Sequence, residues 1–227
     1  MYKLIKDIEN RILNGGSISY EESLQLINTS NDNIEHLFNS ADKIRQAYMG
    51  NKADLCTIVN AKSGKCSENC KYCAQSIYYN TGVHEYKLLS YDNILEKALY
   101  VQNKGAHRIS LVTSGRGVAD EDLKELVEIY KRLKIDTDLK ICASHGIITY
   151  EQALLLKSSG VDMYHHNLET GYKYYKNICT THNYDDRIRT IDNLQKAGIT
   201  VCSGGIIGMD ETLIDRIDMA FELRRLN

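Results

Sequence analysis

The chain has 227 residues, a formal net charge of −2, 43% hydrophobic and 26% charged side chains. That is enough for one large or two small globular domains, and too apolar for a disordered chain. Lys and Arg are scattered without a basic stripe, which argues against a nucleic-acid surface, and no apolar run approaches the roughly 20 residues needed to span a bilayer.

Taken in chain order, the opening MYKLIKDIENRIL alternates charge with apolar residues and carries no signal-peptide h-region, so it reads as a helix. Ser17 or Ser19 can cap a second helix from about Tyr20, and the apolar spacing of Ile34, Leu37, Ala41 and Ile44 predicts a third over 33–48, stopped by Gly50. These helices make residues 1–50 a helical segment ahead of a unit spanning 51–227. From there short β-rich runs alternate with amphipathic stretches. Strands are predicted at 55–59, 108–112, 139–143, 161–166 and 199–202. Helices are predicted at 90–104, 120–133, 149–158 and 184–197, with a last one from about 211. Strands alternating with helices of this length imply parallel β/α units. Periodicity does not choose between an open doubly wound sheet and part of a barrel, although no G-x-G-x-x-G follows the first strand.

Three of the seven cysteines, Cys66, Cys70 and Cys73, form a C-x₃-C-x₂-C loop after the first strand. Without a signal peptide, this pattern predicts reduced thiols available to metal, in the cytoplasm, rather than a disulfide framework. Three thiolates on one short loop can hold three corners of an iron–sulfur cube and leave one iron without a protein ligand. Zinc competes for the same ligands, but a structural zinc site calls for a fourth Cys or His nearby, and the next cysteine is Cys142.

With Tyr72 in its x-aromatic position, the loop resembles the signature of the radical S-adenosylmethionine (SAM) superfamily. The text around it is similar to the biotin synthase family. Asn60-Ala61-Lys62-Ser63-Gly64 leads into the loop and Tyr72-Cys73-Ala74-Gln75-Ser76 follows; Tyr164-His165-His166-Asn167-Leu168-Glu169-Thr170 and Val201-Cys202-Ser203-Gly204-Gly205-Ile206-Ile207-Gly208 come later. The resemblance runs from about residue 18 to the end. It implies a (β/α)₈ TIM-type barrel of which about the first five β/α units are present, behind N-terminal helices, with the site at the C-terminal ends of the strands.

The resemblance also implies the cofactors: a [4Fe–4S] cluster on Cys66, Cys70 and Cys73, SAM, and an auxiliary iron–sulfur cluster that donates sulfur. Tyr72 matches the residue beside the adenine, Asn167 and Glu169 the polar pair toward ribose and methionine, and Arg187 a residue binding the SAM carboxylate. Gly204 and Ile206 match a further SAM-contacting motif. Cys142 and Cys202 match auxiliary-cluster ligands. Ser110 stands where many relatives carry a third such Cys, and a hydroxyl is a harder, weaker ligand for iron. The auxiliary cluster is therefore [2Fe–2S] or another type. Cys56 and Cys179 match no ligand position and read as packing or surface residues. His165 and His166, adjacent on a strand, face opposite sides and are not assigned as ligands.

The implied reaction is reductive cleavage of SAM, with an electron from a flavodoxin- or ferredoxin-type donor. The resulting 5′-deoxyadenosyl radical takes hydrogen from dethiobiotin, and sulfur closes the ring of biotin. By the resemblance a homodimer is expected at full length, and three more strands, with an Arg ligand of the auxiliary cluster, are expected beyond residue 227. A shortened iron–sulfur fragment without activity, or another radical SAM enzyme of the same subfamily, are the alternative readings.

Overall fold

The computed structural model describes residues 1–227. Three helices lead: α1 (Tyr2–Leu13), α2 (Tyr20–Leu26) and α3 (Asn31–Met49). Ser19 caps α2 in a capping box with Glu22, and Gly50 ends α3 at φ 65°, a left-handed position that suits glycine. The buried Glu9 carboxylate ties α1 to α3 by accepting from Lys6 at 2.6 Å and from Ser40. Tyr20 ties α2 to the last helix by donating to Asp218 at 2.6 Å.

The remainder is five β/α units. The strands are β1 (Cys56–Lys62), β2 (Arg108–Thr113), β3 (Lys140–Ser144), β4 (Met163–His165) and β5 (Thr200–Cys202). The helices between and after them are α4 (Tyr91–Asn103), α5 (Asp120–Asp136), α6 (Tyr150–Ser158), the single-turn α7 (Tyr172–Tyr175), α8 (Tyr184–Lys196) and α9 (Leu213–Arg225). The strand order is β1-β2-β3-β4-β5 and every neighbouring pair is parallel. A doubly wound sheet reverses its order at a switch point, whereas a barrel adds each strand on the same side. The order is that of a barrel.

Alternation along the strands sorts the side chains. Val59, Ala61, Ile109, Leu111, Ile141, Ala143 and Tyr164 are buried in one core with Ile94, Leu126, Leu133, Leu156 and Leu194 of the helices. The intervening positions face the other side. Register puts Ile58, Ser110, Cys142 and Met163 in one row across that face, with Cys56 and Cys202 on the same alternation. The loops leaving the C-terminal ends of the strands hold the Cys motif, Gly115–Arg116, His145–Gly146, Asn167–Glu169 and Ser203–Glu211, so topology brings them to one end. No helix is long and apolar enough to cross a membrane.

Candidate functional site

The Cys loop leaves β1 through Gly64 and Lys65, both at positive φ (81° and 53°). A Cβ on Gly64 would stand 2.6 Å from Glu85 Cγ, so the turn has no room for a larger residue. Gln75 holds the loop's entry: its side-chain oxygen accepts from the Gly64 amide and from Ser63 Oγ (2.5 and 3.1 Å), while its carbonyl accepts from the Cys66 amide at 3.0 Å. Ser76 Oγ donates to the Glu68 carbonyl at 2.6 Å. Cys66 and Cys70 are buried and Cys73 is half-buried. Burial pushes the Cys66 thiol up, so without metal it keeps its proton; binding metal releases it.

The three loop cysteines line one cavity with Tyr72, Asn167, Glu169, Arg187, His165 and His166. The three loop sulfurs do not all lie within 4.8 Å of one another; the one set of three ligand atoms that does is Cys70, Cys179 and His182. Three thiolates on one short loop suit three corners of an iron–sulfur cube and leave the fourth iron to a cofactor. Buried His166 Nε2 has no hydrogen-bond partner, an orphan polar atom of the kind a bound cofactor or water satisfies. Desolvation drives the His166 pKa well below that of a free imidazole, so the ring is neutral.

Arg187 is the hub of the cavity wall. α8 presents it one turn after its N-cap Asn183, directly behind the Asn183–Asp186 capping box. Its Nε donates to Tyr175 Oη at 2.6 Å, and one terminal nitrogen donates to the Asn167 carbonyl at 2.9 Å. The other meets Tyr72 Oη at 3.0 Å and His182 Nε2 at 3.2 Å. Glu169 stands farther off, at 3.5 Å. A guanidinium has five N–H donors, so four are engaged and the one toward Glu169 is the loosest.

Glu169 itself sits at φ 71°, a conformation that costs a non-glycine residue about 1–3 kcal/mol. The loop after β5 holds it there: the Glu169 amide donates to the Gly204 carbonyl at 3.2 Å, and its carbonyl accepts from the Ile206 amide at 2.8 Å. Gly205 makes this approach possible, since a Cβ there would meet Met219 Sδ at 2.1 Å and the Glu169 carbonyl at 2.7 Å. Gly204 and Ile206 thus support the wall from behind and do not line the cavity. Farther along the motif, Glu211 accepts from the Gly208 and Met209 amides and from Arg216; the Gly208 amide is the main cause that holds its carboxyl down to about 2.

The second group of predicted ligands lies apart from this cavity, on the inner strand face. Ser110 is the register partner of Cys142, whose thiol faces the Ala143 carbonyl at 3.8 Å and is pushed up by burial. Cys56, read from sequence as packing or surface, is on this face too, and Cys56, Cys142 and Cys202 are close enough to feel one another's charge. Alternation along β1 would have shown this once Val59 and Ala61 were known to face the helices. Cys179, also read as a packing or surface residue, is buried beside Cys70.

A cluster-binding loop facing a polar wall on a barrel-ordered sheet defines a radical SAM protein. Residues 60–223 match the Radical SAM superfamily, so the chain handles a [4Fe–4S] cluster and SAM. Among curated relatives it is 56% identical over 230 residues to the biotin synthase of Clostridioides difficile, covering all of this chain and 71% of that protein. It is 51% identical over 219 residues to that of Acetivibrio thermocellus, covering 96% of this chain and 68% of the other. The chain belongs to the biotin synthase family. In fold it is similar to methylornithine synthase, with a TM-score of 0.85 at 20% identity over 97% of this chain and 65% of that one. A maturase of the [FeFe]-hydrogenase gives 0.84 at 21% identity, over all of this chain and 51% of that one.

Proposed function

We propose that this chain carries the biotin synthase reaction, radical insertion of sulfur into dethiobiotin to give biotin. When bound, the loop cluster supplies the electron for reductive SAM cleavage, and through it hydrogen removal from dethiobiotin, while the auxiliary cluster supplies the sulfur. The observation that supports this most directly is the convergence of Cys66, Cys70 and Cys73 with Tyr72, Asn167, Glu169 and Arg187 on one cavity, over the same strand face that bears Cys142 and Cys202.

In this reading Arg187 offers its loosely held N–H to the SAM carboxylate, and its other four bonds keep the guanidinium plane fixed. Glu169 and Asn167, bonded to each other at 3.3 Å, receive the ribose hydroxyls and the methionine end. The half-buried Tyr72 ring packs against the adenine. Gly204 and Ile206 fix the backbone of Glu169 and so act by positioning. Cys56 joins Cys142 and Cys202 as the third thiolate of the auxiliary site, and Ser110 stands beside Cys142 as its register partner. Residues 1–50 form a helical segment before the barrel portion at 51–227. The electron comes from a flavodoxin- or ferredoxin-type protein, in the cytoplasm, and the assembled state is a homodimer.

The test is anaerobic reconstitution with iron and sulfide, followed by reduction with SAM and dethiobiotin present. Formation of 5′-deoxyadenosine together with biotin is the expected result. 5′-Deoxyadenosine without any sulfur-containing product would refute sulfur insertion, and a Cys66→Ala chain binding as much iron as the parent would refute the cluster assignment.

A further inference from the structure

Cys179 has no part in the reading above, yet its sulfur lies 3.7 Å from that of Cys70. A buried cysteine is ordinarily a small hydrophobe filling a gap. Here the backbone on both sides is fastened to the Cys loop. The Lys71 amide donates to the Ile178 carbonyl at 2.9 Å, and the Asn69 amide to Thr181 Oγ1 at 3.1 Å. In return the Thr180 amide donates to Asn69 Oδ1 at 2.9 Å, and Asn69 Nδ2 to Thr180 Oγ1 at 2.7 Å. Thr181 Oγ1 donates to Glu68 at 2.8 Å, and His182 Nδ1 closes on the same carboxylate oxygen. The segment 178–182 is thus held to the loop on both sides of the sulfur pair, and the sulfur of Cys179 is fixed rather than merely packed.

Following the protons identifies what that sulfur does. His182 Nδ1–H points to Glu68, which leaves Nε2 to accept from Arg187 at 3.2 Å. The Cys179 thiol therefore finds no acceptor on the ring, although Nδ1 is only 3.3 Å away. Thr181 Oγ1, at 3.6 Å, gives its own proton to Glu68 and already accepts from the Asn69 amide, so at most one lone pair of a neutral hydroxyl is open to Cys179. The stronger acceptor within reach is Cys70, whose sulfur, as a cluster ligand, is an anion with lone pairs to spare. Hydrogen bonds to ligand sulfurs stabilise the more negative, reduced form of a cluster and raise its potential.

We propose that Cys179 is a positioning residue that donates its S–H to the ligating sulfur of Cys70 and thereby makes the loop cluster easier to reduce. The inference rests on the assignment of Cys66, Cys70 and Cys73 as cluster ligands. Its test uses the full chain, reconstituted anaerobically, as parent, Cys179→Ala and Cys179→Ser. Iron and sulfide are counted, and the reduced [4Fe–4S] signal that changes on adding SAM is followed by electron paramagnetic resonance through a potential titration. The expected result is an unchanged cluster content with the Cys179→Ala midpoint shifted to more negative potential, by up to about tenfold in the reduction equilibrium, ~59 mV for one electron. Cys179→Ser, whose hydroxyl still donates, recovers part of the shift.

A Cys179→Ala midpoint equal to the parent's overturns the proposal. So does a Cys179→Ser midpoint no closer to the parent's than that of Cys179→Ala, because the missing proton would then not be the cause. Loss of the cluster in both variants also overturns it, since Cys179 would be needed for assembly rather than tuning. A parent chain that assembles no SAM-responsive cluster removes the ligand assignment itself, which distinguishes that failure from the others.

Discussion

His145 closes β3 and is fully buried, with Nδ1 2.9 Å from Thr113 Oγ1 and Nε2 2.7 Å from Tyr130 Oη. Burial pushes its pKa down from an ordinary 6.5 to about 3. Below pH 6.5 the unfolded chain therefore takes up a proton that the folded chain refuses. The imidazole's contribution to stability is fully present above that pH and is lost as the pH falls toward the folded value. At about pH 5 the unfolded chain gains roughly 2 kcal/mol from this one group, a large share of the ~5–15 kcal/mol that holds a domain. The folded value hardly enters this figure, because pH 5 lies well above it.

The assay is urea unfolding of the cluster-free, reduced chain at pH 7 and pH 5, beside His145→Gln. The glutamine amide can keep one of the two hydroxyl partners and strands the other, which costs about 1–3 kcal/mol at pH 7. Because the amide does not titrate, the gap between parent and variant should narrow by roughly 2 kcal/mol at about pH 5. A gap of the same size at both pH values would refute the argument. An NMR titration showing the folded imidazole protonating above pH 5 would refute it independently.

Three further outcomes follow from the site. Gly205→Ala should lower stability by about 1–3 kcal/mol, read as a lower midpoint in thermal unfolding, because the new methyl meets the Glu169 carbonyl and Met219. Arg187→Lys keeps the charge but loses the fork that joins Tyr72, Tyr175 and Asn167; SAM affinity by calorimetry should fall about 10- to 100-fold, at ~1.5–3 kcal/mol for charged hydrogen bonds. Cys56→Ser should remove auxiliary iron and leave the loop cluster, whereas Ser110→Ala should retain most of both by iron and sulfide count. If the two substitutions behaved the other way round, the hydroxyl would be the ligand.

What the sequence disclosed and what it withheld divide along physical lines. The five β/α units were readable because each strand is a short apolar run with glycine close by, and helices such as α5 and α8 carry an amphipathic stripe. Lateral strand order was not, since parallel strands buried on one face look alike in a sheet of either topology; it emerged only from the pairing of β1 with β2 and of each strand with the next. Cys66, Cys70 and Cys73 announced themselves because their ligand spacing is local. Arg187 did not. On an amphipathic helix an arginine is usually solvated, and its burial among Tyr72, Tyr175 and His182 depends on three separate segments meeting. Cys179 is the extreme case, 109 residues from its partner Cys70. The residues that bring it there, Glu68 and Asn69, lie between two of the cluster cysteines as the variable positions of the motif. Their side chains carry no signature of their own, yet they anchor the distant segment to the loop. In this chain the spacing of the cysteines specifies which metal group can bind, and the residues within that spacing determine what surrounds it.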